Sequence, residues 1–264
     1  LSTAKSPQQM FGAVMKTYFA QKLGVSPEKI YTISVMPCVA KKAEREMELF
    51  YEEYAGHDVD AVVTTRELVR MIRSAHISPD TLKDIESDRP MQEGTGAGVI
   101  FGATGGVMEA ALRSAYFLIK GENPPVDAFK AVRAQGFNEN NGVQEATFQV
   151  DDITVRTAVV SGLGNTRALL NKIEKGEVQY DFVEVMACPG GCVGGGGQPI
   201  HDGEELAFTR GKNLYDLDEH ANLRYSHENP DIDLLYKEFF GEPNGHKAHM
   251  LLHSDHLDDL ANGR

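Results

Sequence analysis

The chain has 264 residues, of which 41% are hydrophobic and 25% charged, a composition typical of a globular protein with one large domain or two lobes. Its 39 Asp and Glu outnumber 26 Lys and Arg, and the net charge of -13 repels phosphate backbones and anionic lipids, which argues against a nucleic-acid partner. The longest uncharged stretch near the middle, residues 94–108, is glycine-rich and shorter than the roughly 20 apolar residues of a spanning helix, so we predict no membrane span.

The amino terminus reads LSTAKSPQQ, without Met and without the basic, apolar and small-residue order of a secretion signal. We therefore expect that sequence is missing upstream. A cytoplasmic location is predicted, with the periplasm as the alternative if a missing upstream segment carries a signal. The three cysteines are an odd number, which argues against a disulfide framework.

The first ninety residues alternate between helical and strand patterns. Apolar residues recur at helical spacing from Ser6 to Leu23, with Ser6 placed to cap the helix and Pro7 in its first turn. Further elements are predicted as a strand at 29–36, a charged helix at 40–54, a strand at 58–65, a helix at 66–75 and polar turns at 78–92.

The rest of the chain continues this alternation. The predicted elements are a helix at 106–120, a hairpin within 146–162, a helix at 164–176, a strand at 180–186 and a helix at 231–241. The GTGAG at 94–98 is not the dinucleotide-binding pattern, because its third glycine falls one place early and no convincing strand precedes it. We predict an α/β fold of two lobes with twisted, largely parallel sheets flanked by helices, and a helical C-terminal tail.

Two segments share one pattern, ISVMPC at 33–38 and VEVMAC at 183–188. Each is a β-branched run that ends in Val-Met-x-Cys, so each places a Met and a Cys at the carboxyl end of its strand, where open α/β sheets bind ligands. We predict that Cys38, Cys188 and Cys192 meet at one site in a cleft between the two lobes.

The second pattern runs into a glycine-rich loop with Cys192 in its middle. Glycines permit close backbone approach to a bulky inorganic group, and an iron–sulfur cubane takes four thiolates, so a fourth ligand must come from upstream, from another group or from a partner chain. A zinc site of the three cysteines with His201 is the alternative. Taken alone, any one of these cysteines would ordinarily be interpreted as buried and inert.

These residues resemble the catalytic domain of the iron-only hydrogenases. The resemblance is carried by VMPCVAKKAE and EVMACPGGCVGGGGQP, by SPQQMFG, TTREL and FGATGGVMEAALRSA, and by SHENP, YKEFFGEP and GHKAH near the end. It covers nearly the whole chain and implies three segments: the remainder of the first lobe at 1–90, the second lobe at 91–213, and a belt at 214–264 that is similar to the family's small subunit.

The resemblance implies a cofactor made of a 4Fe-4S cubane joined through one cysteine to a di-iron unit with carbonyl, cyanide and a bridging dithiolate. By similarity, Cys38, Cys188 and Cys192 are cubane ligands, and Cys192 also bridges to the di-iron unit. The family's first cysteine signature, which carries the fourth ligand and a proton-transferring cysteine, is expected just before Leu1.

Other roles follow from the resemblance by position. Lys41 is expected to neutralise a cyanide ligand, and Ser2 to act in the proton relay. Glu44 is expected near the same cavity, but it would ordinarily be interpreted as a carboxylate on the surface of a helix. The remaining residues expected to line the cofactor are Ser6, Gln8, Met36, Phe101, Gly102, Val107 and Met186. Without the resemblance, the last five would be interpreted as core residues.

The implied activity is the interconversion of dihydrogen with protons and electrons. A ferredoxin or similar carrier would exchange the electrons, and maturation proteins would supply the cofactor. Two alternatives are a non-catalytic relative of the cytosolic iron–sulfur assembly factors and a sensory hydrogenase. FGATGGVMEAALR at 101–113 resembles the enzymes more closely than it resembles the assembly factors.

Overall fold

The computed structural model describes residues 2–85, 88, 91, 93–133 and 142–254. The chain divides into two compact units: the first comprises Leu1–Gln92 and Pro230–Arg264, and the second comprises Glu93–Asn229. Residues 214–229 thus group with the second unit, and 230–264 with the first. Among the described helices, none is long and apolar enough to cross a membrane.

The first unit contains short strands and helices. Its helices are α1 (Pro7–Val14), α2 (Ala20–Leu23), α3 (Ala40–Arg45), α4 (Thr65–Ser74), α9 (Pro230–Leu235) and α10 (His246–Leu252), and its strands are β1 (Ile33–Met36), β2 (Tyr51–Glu52), β3 (Gly56–His57) and β4 (Ala61–Thr64). Strands β1 and β4 pair in parallel, with Met36 opposite Thr64, whereas β2 and β3 form an antiparallel hairpin.

The predicted first helix is present from Pro7 to Leu23, with α1 and α2 joined by a π-helical turn at Met15–Phe19. Ser6 has the extended backbone of a capping residue, but its side chain makes no capping hydrogen bond. The predicted capping role of its hydroxyl is therefore wrong, because that hydroxyl donates to Glu44 instead.

The helix predicted over 40–54 ends at Arg45, so the prediction is wrong for its second half. Phe50 is only 3% exposed, and its carbonyl accepts a hydrogen bond from the Asp58 amide at 2.9 Å. A helix through this segment would break that bond and expose the ring. Burial of Phe50 and the β2–β3 hairpin therefore outweigh the helical propensity of the charged residues.

A small core in the first unit joins the N-terminal helix to the C-terminal helices. Its buried members are Val14, Met15, Leu235, Phe240 and Ala248. Beside it, Lys16 is only 2% exposed, and its ammonium donates to the Asp60 carboxylate at 2.8 Å and to the Ala55 carbonyl at 3.0 Å. The pairing offsets the cost of burying a charge.

The second unit contains the longest helices and strands described. Its helices are α5 (Gly96–Val99), α6 (Gly106–Lys120), α7 (Leu163–Glu174) and α8 (Ala207–Glu219), and its strands are β5 (Val143–Val150), β6 (Ile153–Ser161) and β7 (Phe182–Met186). Strands β5 and β6 form the predicted hairpin, and β6 pairs in parallel with β7 after the α7 crossover. The predicted α/β class and helical C-terminal region are confirmed, and the three-stranded sheet is mixed.

A buried charge network stabilises the second unit. Asp218 on α8 is fully buried and accepts hydrogen bonds from Arg113 at 2.7 and 2.8 Å and from Arg224 at 3.1 Å. Arg113 also donates to Glu109, one helical turn earlier, at 2.6 Å. Burial raises the pKa of the Asp218 carboxyl, but hydrogen bonds and charge from the two guanidinium groups outweigh this effect and hold the pKa below its ordinary value.

We predict that Asp218→Asn destabilises the protein by about 3–5 kcal/mol, because it removes the carboxylate charge that two guanidinium groups share in a buried site. The control is Asp216→Asn, an exposed aspartate on the same helix, for which the change should stay within about 0.5 kcal/mol. Urea unfolding measures both, and equal midpoints for the two variants would contradict the network's role.

A histidine on the second unit is held between two aromatic rings. The imidazole of His227 stacks on Phe117, with ring centroids 4.2 Å apart, and on Tyr225 at 5.5 Å. Its two nitrogens lie 3.1 Å from the Ser114 hydroxyl and 2.8 Å from the Asn123 side-chain oxygen. Both contacts are satisfied by a neutral ring, and burial lowers the pKa of His227.

A lowered folded-state pKa means that the unfolded chain binds the proton more tightly. The stability contributed by neutral His227 is therefore present above pH ~6.5 and is lost as the pH falls below that value. We predict that His227→Gln makes the unfolding free energy less dependent on pH between about 5 and 7. The control is His220→Gln. Thermal unfolding between about pH 5 and 7 measures how steeply the unfolding free energy depends on pH. An unchanged dependence in His227→Gln would contradict the contribution given to neutral His227.

Candidate metal-cofactor site

Cys38 lies two residues beyond the carboxyl end of strand β1 and two before helix α3. The parallel pairing of β1 with β4 fixes where this strand ends. The thiol is half-buried and forms no disulfide. The predicted position of Cys38, at the end of a parallel strand and just before a helix, is confirmed.

Five polar residues of the first unit form a hydrogen-bonded group, which we call the Glu44 cluster: Ser6, Gln8, Ser34, Lys41 and Glu44. The Ser6 hydroxyl and the Lys41 ammonium donate to the Glu44 carboxylate, and the Gln8 amide nitrogen donates to it at 3.1 Å. The Gln8 amide oxygen in turn accepts from the Ser34 hydroxyl at 2.8 Å. Three predicted cofactor-lining residues thus converge on one carboxylate.

Glu44 is not a solvated carboxylate on the helix surface, which is how a glutamate at this position would ordinarily be interpreted. Its side chain is 22% exposed and that of Lys41 is 24% exposed. Burial raises the pKa of Glu44, but hydrogen bonds from Lys41, Ser6 and Gln8 outweigh this effect and lower the pKa below its usual value. Glu44 is therefore an ionised acceptor around which the donors are arranged.

In the second unit, Cys188 lies two residues beyond the end of β7, and Cys192 lies in the glycine-rich loop that follows, residues 189–197. Cys188 is half-buried, Cys192 is exposed, and neither forms a disulfide within the described residues. The Gly190 amide donates to the Ser161 hydroxyl at 3.0 Å, and the Gly191 amide to the Cys188 carbonyl at 3.0 Å. These bonds fix the loop's start against strand β6.

Part of the glycine content of this loop is explained by packing against the protein itself. Gly191 has a φ of 96°, and a Cβ there would lie 2.7 Å from the Gly102 carbonyl oxygen and from the Thr104 amide nitrogen. At Gly194 a Cβ would lie 2.4 Å from the Pro189 carbonyl oxygen. These two positions require glycine whether or not a cofactor lies on the loop.

A buried carboxylate connects the strand before this loop to helix α6. Glu184, 6% exposed within β7, accepts hydrogen bonds from the Gly105 amide at 2.7 Å and the Met108 amide at 2.6 Å. Burial raises the pKa of Glu184, and the backbone donors partly offset that effect. Sequence reasoning missed Glu184, although a lone acidic residue among the apolar residues of FVEVM is the signal of a buried, paired charge.

The apolar residues predicted to line the cofactor are not in the buried core. Met36 in the first unit and Met186, Phe101, Gly102 and Val107 in the second are all partly exposed. They do not belong to the three described core clusters. Each of them keeps part of its surface exposed.

Ser2, predicted to serve in a proton relay, is exposed. Its hydroxyl oxygen accepts a hydrogen bond from the Ala4 amide at 3.2 Å. The hydroxyl proton is not engaged by this contact, so the group keeps its capacity to donate.

Thiols are the ligand type of an iron–sulfur group. Among the described residues, no three His, Cys, Asp or Glu side chains are grouped so that they could hold one metal ion. A cubane spaces its thiolate ligands around a larger body, and thiols at strand ends beside a backbone-lined loop suit it.

Comparisons with known proteins agree with this chemistry. Residues 1–196 match the family of the iron-only hydrogenase large subunit, C-terminal domain, and residues 204–258 match the iron hydrogenase small subunit. The chain is 48% identical to the NADP-reducing hydrogenase subunit HndD of Solidesulfovibrio fructosivorans, over 97% of this chain and 43% of that protein. It is 46% identical to the periplasmic Fe hydrogenase large subunit of Nitratidesulfovibrio vulgaris, over 79% of this chain and 48% of that protein.

A solved structure of a variant of FeFe-hydrogenase HydA1 from Chlamydomonas reinhardtii matches with a TM-score of 0.79 and 40% identity, over 96% of this chain and 69% of that chain. The cytosolic iron-sulfur assembly component 3 of Rattus norvegicus is more distant, at 32% identity over 97% of this chain and 53% of that protein. The chain thus spans less than half the length of the two bacterial hydrogenases. The chain belongs to the iron-only hydrogenase family.

Proposed function

We propose that this chain provides a large part of a hydrogenase catalytic domain, which interconverts dihydrogen with protons and electrons. The observation that carries the proposal is the repeated placement of Met and Cys where a parallel strand ends, in β1 and again in β7. The bound cofactor, a 4Fe-4S cubane linked to a di-iron unit with carbonyl, cyanide and dithiolate ligands, would supply the redox chemistry.

Cys38, Cys188 and Cys192 would hold this cofactor as thiolates, with Cys192 shared between the cubane and the di-iron unit. The half-buried side chains of Met36, Met186, Phe101 and Val107 would exclude water from it, and Gly102 would allow close approach of the backbone. Lys41 and Gln8 would donate to its anionic ligands, and Ser6 would line the same cavity. Ser2 would pass a proton, since a hydroxyl both accepts and donates.

A ferredoxin or similar carrier is the proposed electron partner, and cofactor maturation proteins are the proposed source of the di-iron unit. The proposed location is the cytoplasm, with the periplasm as the alternative. The higher identity to the hydrogenases than to the assembly component, 48% against 32%, favours the enzyme over a non-catalytic iron–sulfur protein. A sensory hydrogenase is the remaining alternative.

The direct test is to express the product of the native gene anaerobically with hydrogenase maturation proteins. The proposal predicts infrared bands of metal-bound carbonyl and cyanide, and hydrogen evolution from reduced viologen or ferredoxin. A protein that holds only a cubane and evolves no hydrogen under these conditions would contradict it and favour the non-catalytic alternative. Cyanide bands together with only trace hydrogen evolution would favour the sensory hydrogenase.

We predict that Lys41→Ala lowers hydrogen evolution at least about tenfold, because it removes an ammonium that stabilises negative charge at the site. The matched control is Lys42→Ala, since the next residue on α3 pairs with Glu67 at 2.6 Å on the surface. Lys42→Ala should retain nearly all activity at equal cofactor content. Equal activities of the two variants would overturn the role given to Lys41.

A further inference from the structure

One carboxylate holds three donors that belong to different parts of the first unit. Ser6 and Gln8 come from the start of α1, and Lys41 comes from α3, three residues before Glu44 on the same helix. All three donate to Glu44, through the contacts given above. The Lys41 ammonium and the Gln8 amide each keep a further proton and so suit an anionic ligand, whereas the Ser6 hydroxyl gives its one proton to Glu44.

The contact with Glu44 limits the freedom of Lys41 without consuming its capacity to donate. A lysine side chain loses much rotamer freedom when it is fixed, so an ammonium already held in place binds a second acceptor at a lower entropic cost. The ammonium carries three protons, and Glu44 engages one of them. Lys41 can therefore keep Glu44 and donate to an anion at the same time.

Gln8 is oriented by the same group of residues. Its amide oxygen accepts from Ser34 at 2.8 Å, which directs the amide nitrogen to Glu44 at 3.1 Å. Gln8 is only 6% exposed, so its hydrogen-bond partners within the protein fix the orientation of its side chain. The second proton of that nitrogen is left for another acceptor.

Ser6 shows that this arrangement takes precedence over local helix stability. A serine at a helix N-cap ordinarily accepts a hydrogen bond from the first turn, and Ser6 makes no such bond. Its hydroxyl is directed to Glu44 instead. A residue that forgoes a stabilising local contact in favour of a distant polar cluster is typical of a functional site.

We propose that Glu44 is a positioning residue that presets Lys41 and Gln8 to donate to an anionic ligand of the di-iron unit, with Ser6 holding the Glu44 carboxylate in place. This inference rests on the proposed function and assigns a role to a residue that itself does not touch the cofactor. Glu44 acts through Lys41 and Gln8: it fixes both donors before the cofactor binds and keeps them in one arrangement afterwards.

The test uses the product of the native gene, isolated with its cubane and given a synthetic di-iron complex that carries cyanide ligands. Three variants are compared with the wild type: Glu44→Ala, Glu44→Gln and Glu46→Gln. The last is the matched control, because Glu46 follows α3, is exposed and pairs with Arg45. The readouts are the rate at which the complex is taken up and the positions and widths of its infrared cyanide bands.

We expect Glu44→Ala to take up the complex at least about tenfold more slowly and to show broadened or additional cyanide bands, since Lys41 is no longer held in one orientation. We expect Glu44→Gln to give an uptake rate and cyanide band widths between those of the wild type and of Glu44→Ala, because an amide still accepts hydrogen bonds but lacks the charge. Glu46→Gln should match the wild type. In a Lys41→Ala background, Glu44→Ala should add little further change in the bands, as expected of a residue that acts through Lys41.

Wild-type rates and unchanged cyanide bands in Glu44→Ala would overturn the inference. If Glu44→Ala does not fold, as judged by its circular dichroism, the same readouts on Glu44→Gln decide: shifted or broadened bands support the inference, and unchanged bands overturn it. A wild-type protein that takes up no di-iron complex would instead contradict the proposed function, so the two failures are distinguishable.

Discussion

Parallel strand pairing is the constraint on which the placement of Cys38 and of Cys188 depends. Strand β1 is held in register with β4, and β7 with β6, so the backbone leaves each sheet at a fixed point with Met and then Cys. Cys38 and Cys188 each lie two residues beyond the end of a paired strand. Cys192 then follows Cys188 through a loop whose start is bonded to β6 and whose Gly191 packs against residues 102–104.

A glutamate supports each of these strand ends, by different means. In the first unit, Glu44 gathers side-chain donors and leaves them a capacity to bind another acceptor. In the second, Glu184 accepts backbone amides at the start of α6 and so ties β7 to the FGATGG segment. A buried carboxylate without such donors would be costly, so each glutamate and its partners form one unit. Glu44 holds side-chain donors, and Glu184 holds backbone amides.

The elements that sequence patterns predicted well are those with local signals. Helix α6 begins and ends as expected, because Gly105 and Gly121 flank it with φ values of 91° and 73°. The helix expected over 40–54 fails at Arg45 because the burial of Phe50 depends on partners elsewhere in the chain. Lys41 and Glu44 could be placed on one helix face from their spacing, but nothing local indicates that Ser6 and Gln8, more than thirty residues earlier, donate to the same carboxylate. Long-range polar contacts of this kind have no periodic signal.

We propose, above all, that Cys38, Cys188 and Cys192 would ligate one iron–sulfur group. The most direct measurement is electron paramagnetic resonance of the reduced cubane, with iron content per chain, in the wild type and in the three single Cys→Ser variants. We predict that every substitution alters or abolishes the same cubane signal and lowers the iron content. A wild-type signal and full iron content in any one of the three variants would contradict a site shared by all three thiolates.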